Sequence, residues 1–236
     1  MENVFMKNIA NFLDFANHHA NATHKDIEKL CDAVKKYRFN AAFVNPCYIA
    51  YAKEQLQGKS KVGTVISFPL GQEIFAIKIA SVKEAANAGA DEIDVSLNVG
   101  SIKEAKWEEL LHTMTEIITT ARTINQNIII KFIPETGYLT DREIQKTAEI
   151  MVASGADFFK TCSGMGPRNA IVEDVKLVRA AVGSSIKIKV AGGISTYQQA
   201  CAFIESGADR IGTSHAPEIV EEKETPAQKE SFSKSE

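Results

Sequence analysis

The chain has 236 residues, 27 of them basic and 30 acidic, for a formal net charge of −3. So even a balance gives no electrostatic case for binding nucleic acid or an anionic membrane surface. Hydrophobic residues make up 44%, enough for a sizeable core, yet no apolar run reaches the roughly 18 to 20 residues that cross a bilayer.

The N-terminus, MENVFMKNIANFLDF, lacks the charged-then-apolar pattern of a signal peptide, which predicts a cytoplasmic protein. The first apolar run, near 11–16, predicts a strand. Thr23 with Asp26 then opens a helix whose apolar face reads Ile27, Leu30, Cys31 and Val34. Short runs rich in Val, Ile or Phe predict further strands near 40–45, 61–68 and 91–97. Ser101 with Glu104 fits a capping box. The clearest amphipathic helix follows, with Trp107, Leu110, Leu111, Met114, Ile117, Ile118, Ala121 and Ile124 on one face. A strand near 127–133 leads to a second capping box, Thr140 with Glu143. The last strands fall near 157–161, 186–191 and 209–213. The phrases NAGADEIDV, ASGADFFKT and ESGADRIGT recur at helix-to-strand junctions, where glycine suits a left-handed helix cap and one structural unit repeats.

Eight strand-helix alternations predict an α/β fold, a single (β/α)8 TIM barrel over residues 1–216. A doubly wound open sheet is the alternative, but no G-x-G-x-x-G follows the first strand. Residues 217–236 are charged and poor in large apolar side chains, which predicts a short helix and then a mobile tail. Cys31, Cys47, Cys162 and Cys201 form no C-x-x-C pair, and the five histidines lack H-E-x-x-H spacing. Reduced thiols, no metal and no cofactor are expected, with Cys162 a small core residue.

Barrel enzymes work at the C-terminal ends of their strands, where alternate side chains enter the lumen. In EIDVSL that alternation sends Glu92, Asp94 and Ser96 inward; in IKIKVA it sends Lys187 and Lys189 inward. Lys131 and Glu135 share a parity, and Lys160 shares one with Phe158 and Cys162. Buried charges need partners, so one reading is a set of structural ion pairs. The other is a lysine kept neutral by burial and a neighbouring cation, able to attack a carbonyl. Ala191-Gly192-Gly193 ends the seventh strand and Gly212-Thr213-Ser214 the eighth, the usual place of a phosphate cradle in such barrels.

Taken in order, VNPCYIAYAK, VISFPLG, GADEIDVSLNVG, IKFIPETGYLTDREI, GADFFKTCSGMGPRNAIVEDVKLV, IKVAGGIST and GADRIGTS resemble the deoxyribose-phosphate aldolases, from about residue 11 to 220. The resemblance implies a lyase, a class I aldolase that cleaves 2-deoxyribose 5-phosphate reversibly to acetaldehyde and glyceraldehyde 3-phosphate without metal or cofactor. It implies Lys160 as the Schiff-base residue, Lys189 as its protonated electrostatic partner and Asp94 as the proton relay. Thr161 would position the relay, with Lys187 and Lys131 as supporting charges. The phosphate would rest on Gly192, Gly193, Gly212 and Ser214, with His215 beside it. The family also implies a homo-oligomer. Three positions depart from the family pattern: Ala16 replaces a threonine, Ser195 an arginine and His215 a second serine. They touch the distal pocket rather than the lysine chemistry. A related Schiff-base aldolase with another aldehyde acceptor, phosphorylated or not, is the first alternative. A non-catalytic phospho-ligand binder is the second.

Overall fold

The computed structural model describes residues 9–224. Eight parallel strands close into a barrel: β1 (Leu13–Asn17), β2 (Ala41–Val44), β3 (Lys61–Ile66), β4 (Glu92–Ser96), β5 (Ile129–Ile133), β6 (Phe158–Lys160), β7 (Lys187–Ala191) and β8 (Arg210–Thr213). The ring is sealed where β1 pairs with β8, Asp14 lying opposite Gly212. Helices surround it: α1 (His24–Tyr37), α2 (Ile49–Leu56), α3 (Phe75–Asn87), α4 (Val99–Lys103), α5 (Trp107–Ile124), α6 (Asp141–Ser154), α7 (Val172–Val182), α8 (Tyr197–Glu205) and α9 (Ala216–Glu224). The architecture is the expected (β/α)8 barrel.

Alternation in the strands sets the layers. Ile93 and Val95 of β4, Ile130 and Phe132 of β5, and Ile188 and Val190 of β7 point outward and are fully buried under the helices. The matching face of α5 contributes Leu110, Met114, Ile117, Ile118 and Ala121. Each large aliphatic side chain buried this way stabilises the fold by about 1.5–3 kcal/mol. The helices begin as the sequence implies at Thr23 and Thr140, where both halves of the capping box form. Ser101 does not cap a helix. Asn98 caps α4, its side chain accepting from the Gly100 N–H at 3.0 Å, and Ser101 lies inside that helix, bonded to Glu109.

The repeated Gly-Ala-Asp turns share a structural task. Asp91 accepts from the Val62 N–H at 2.8 Å and pairs with Lys53; Asp157 accepts from the Ile130 N–H at 2.8 Å and pairs with Arg122. Asp209 accepts from the Ile188 N–H at 2.7 Å and pairs with Arg179. Each carboxylate therefore ties its own strand to the preceding one at the N-terminal end of the barrel, and ties both to a helix. These residues hold the fold and lie far from the chemistry.

The short helix expected after residue 216 is α9, and it is docked on the barrel: Ala216 and Ile219, one turn apart, are fully buried, Val220 packs on the core, and Glu222 accepts from the Tyr197 N–H at 2.7 Å. The remainder of the predicted tail, 225–236, lies outside the described residues.

Candidate active site

The lumen is charged from bottom to top. Near its lower end Arg210 reaches Glu92 and Asp14, each at 3.2 Å, and Lys61 reaches Glu92 from the rim. In the middle Lys131, fully buried, donates to Glu92 and, at 2.9 Å, to Asp94 Oδ1. Burial alone would drive Lys131 neutral, but Asp94 and Glu92 outweigh it and raise its pKa. The converse holds for the acids. Burial opposes their ionisation, yet Lys131 and Arg210 hold Glu92 below the usual carboxylate range, and Lys131, Lys160 and Lys189 hold Asp94 well below it.

The upper end is balanced differently. Lys160 at the end of β6 and Lys189 in β7 are register partners, so the closed sheet sets their amines side by side. Both converge on one oxygen: Asp94 Oδ2 lies 2.9 Å from Lys160 Nζ and 3.0 Å from Lys189 Nζ. Lys189 is held on further sides, 2.7 Å from Asp14 Oδ2 and 3.4 Å above the Phe43 ring centre. Its passage through the lumen depends on Gly212, where a Cβ would lie 2.8 Å from Lys189 Cε. In this network Asp14, Glu92 and Asp94 face Lys61, Lys131, Lys160, Lys189 and Arg210, more cations than carboxylates. Burial, the largest cause, pulls the Lys189 pKa to about 8, opposed by Asp14 and Asp94 and reinforced by Lys131 and Lys160.

Both amines form the floor of a cavity of about 350 Å³ at the C-terminal mouth. Ala16, His18, Phe43 and Phe68 line one side; Ser163, Gly164 and Met165 of the β6–α7 loop line another. That loop is pinned from below, Glu135 accepting from the Ser163 N–H at 2.9 Å and Arg168 gripping Asp174 with both guanidinium arms. The far end is built from Gly192, Gly193, Ser195, Ser214 and His215. Gly192 and Gly193 have φ of +103° and +76°, which L side chains rarely adopt, and a Cβ at Gly193 would strike Asn169. Among the cavity-lining residues Lys160 and Lys189 are the only lysines or arginines.

The chain that builds this cavity matches known proteins in sequence and in fold. A model of the DeoC/LacD family of aldolases matches residues 6–215. The chain belongs to this family. It is 44% identical over 217 residues to a deoxyribose-phosphate aldolase of Caldicellulosiruptor saccharolyticus, covering 92% of this chain and 98% of that one. A deoxyribose-phosphate aldolase of Thermococcus kodakarensis is 42% identical, with 91% and 96% covered. Among solved structures, an aldolase named QR15 superposes with a TM-score of 0.86 at 34% identity, covering 92% of this chain and 96% of its own. The tetrameric deoxyribose phosphate aldolase of Aeropyrum pernix gives 0.85 at 25% identity, with 93% and 92% covered.

In this aldolase the expected site residues separate into groups. Lys160, Lys189, Gly192, Gly193, Gly212, Ser214 and His215 all line the one cavity. Asp94 lies beneath it and meets the chemistry through the two amines. Thr161 is not at the surface of the cavity. It follows β6, and its hydroxyl donates to the Ala191 carbonyl at 3.3 Å and accepts from the Ala191 N–H at 3.2 Å, a seam between strands. Cys162 leaves the lumen because β6 ends at Lys160; it is buried in the helix-facing core, 3.1 Å from Thr136 Oγ1. Lys187 has the inward parity but sits exposed at the lower rim, near Phe158, away from the mouth. Burial, the largest cause, lowers the pKa of Lys189. Sequence reasoning missed Arg210, His18 and Phe68. Arg210 shares the parity of Gly212, and His18 that of Asp14 and Ala16, so alternation alone would have placed both.

Proposed function

We propose that the protein cleaves 2-deoxyribose 5-phosphate reversibly to acetaldehyde and glyceraldehyde 3-phosphate through an imine on Lys160. The observation that carries this is the pair of amines sharing Asp94 Oδ2 at the cavity floor. Lys189 is gripped by Asp14, Asp94 and the Phe43 ring, whereas Lys160 has one carboxylate neighbour and the opening above it. Lys160 is therefore the amine free to attack, and Lys189 the one built to stay as a cation. Burial lowers the Lys189 pKa to about 8, so Lys189 remains largely a cation at neutral pH beside the attacking amine.

The neutral Lys160 amine adds to the C1 aldehyde, and loss of water gives the iminium. The C3 hydroxyl then gives up its proton as the C2–C3 bond breaks. The bonding pair moves to C2 and on to the iminium nitrogen, forming an enamine and releasing glyceraldehyde 3-phosphate. Protonation at C2 and hydrolysis return acetaldehyde and the free amine. Asp94, with Lys189, passes protons during carbinolamine formation and at C2. Gly192, Gly193, Ser214 and His215 hold the phosphate, and the free thiols, with no disulfide among the described residues, suit a cytoplasmic setting. The exposed apolar side chains Leu70, Ile74, Phe75 and Ile77 suit burial in a homo-oligomer.

A second reading keeps the chemistry and changes the acceptor. It is favoured by the lack of a lysine or arginine side chain at the distal end of the cavity. Steady-state cleavage of 2-deoxyribose 5-phosphate and of unphosphorylated 2-deoxyribose decides between them. The proposal expects kcat/KM to favour the phosphate ester by about a hundredfold or more, the value of two to three charge-assisted hydrogen bonds. Equal values would assign the protein to the second reading.

A further inference from the structure

His18 follows β1 at the mouth of the barrel, on the inward parity of Asp14 and Ala16, and lines the cavity. Its ring packs on Phe68, centre to centre 5.4 Å at 49°, and Lys160 Nζ lies 5.6 Å from the centre of that same Phe68 ring. The imidazole and the reacting amine thus share one aromatic neighbour and one cavity. Its two nitrogens differ. Nδ1 is sealed from solvent and has no hydrogen-bond partner, while the ring is half-buried and lines the cavity, so Nε2 is the nitrogen left to meet a ligand there. A buried N–H without an acceptor is costlier to tolerate than a buried lone pair, so the proton of the neutral ring belongs on Nε2. The ring does stay neutral: burial first, then Lys160 and Lys189, bring its pKa to about 3, opposed by the charge of Asp94 and a hydrogen bond with the Asn45 side chain.

We infer that His18 donates a hydrogen bond from Nε2 to the oxygen on the carbon that the enamine attacks or releases. This rests on the imine reading above. In the cleavage direction that oxygen is the C3 hydroxyl, which becomes the aldehyde oxygen; in the synthetic direction it is the carbonyl oxygen of the acceptor. A neutral imidazole suits the task because it polarises a carbonyl without adding a further positive charge beside two lysines. His18 itself gains and loses no proton. The leaving hydroxyl proton departs to water, and His18 holds the oxygen as its charge changes. Because that oxygen is fixed between the imine and the distal end, His18 also selects acceptors that carry it at this spacing.

Three measurements on the full-length protein test this together: kcat/KM for cleavage, borohydride trapping of acetaldehyde on Lys160, and both again for His18→Leu and His18→Gln. His18→Leu is expected to lower kcat/KM by about tenfold to a hundredfold, somewhat less than loss of an oxyanion donor. Trapping of acetaldehyde should stay within about twofold of the wild type, because the imine of acetaldehyde carries no second oxygen for His18 to hold. His18→Gln keeps an N–H donor on a side chain of similar reach and should recover part of the loss. An unimpaired Leu variant overturns the inference, as does trapping that falls in step with cleavage, or a Gln variant as poor as the Leu variant. Absence of any imine on wild-type Lys160 would instead overturn the reading on which the inference rests, and the inference with it.

Discussion

The lower and upper halves of the lumen use the same residue types to opposite ends. Below, Lys131 and Arg210 each bridge two carboxylates, and every charge has a partner of the other sign. Above, Lys160 and Lys189 divide a single oxygen of Asp94. Lys131 is held in its charged form, whereas Lys189 gives up its proton near pH 8. Both are fully buried and each meets two carboxylates, but Lys189 also lies beside a second amine, Lys160, so the neighbouring cation is what separates them.

The largest way to break this contrast is at Lys160. Lys160→Ala should lower turnover by about a thousandfold or more, the scale seen when a covalent nucleophile is removed, while the fold by circular dichroism is retained. Lys189→Met comes next, lowering kcat by about a hundredfold through loss of a charge next to the developing iminium. The pH dependence sharpens the same point: with Lys189 acting as a cation, cleavage should fall as the pH rises through about 8, where Lys189 loses its proton. A rate independent of pH between 6 and 9 would contradict that role.

In the lower half the same type of change should act on stability. Lys131→Met leaves Glu92 and Asp94 uncompensated in a buried site, and should cost about 3–5 kcal/mol by denaturant unfolding. Acid should expose the same charges. Glu92 and Asp94 have pKa values depressed on folding, so the stability they contribute is complete above their unfolded values near 4 and is lost as the pH falls below them. Glu92→Gln should flatten that acid limb. The smallest effect is expected at the repeated turns: Asp157→Ala should cost about 1–2 kcal/mol, through its bonds to Ile130 and Arg122, and leave kcat unchanged.

Much of this was legible in the sequence because period-two alternation survives in the strands. It placed Glu92, Asp94, Lys131 and Lys189 in the lumen, and paired Lys160 with Lys189 on adjoining strands. It failed where a strand ends. Thr161 and Cys162 continue the letters of β6 but not its geometry, so one seals against Ala191 and the other turns to the core. It also carries no depth: Lys187 and Lys189 share a face, yet one is at the wet lower rim and the other under the mouth. The burial of α9 was hidden because only Ala216, Ile219 and Val220 mark its apolar side among charged neighbours. What no pattern could supply is which charged groups reach each amine, and that arrangement separates the two halves of the lumen.

The most direct test of the account is where the imine forms. Wild-type protein treated with acetaldehyde and borohydride, then digested and mapped by mass spectrometry, should carry a reduced two-carbon adduct on Lys160, with Lys131 and Lys189 unmodified. An adduct on Lys189 in place of Lys160, or none at all, would contradict the account.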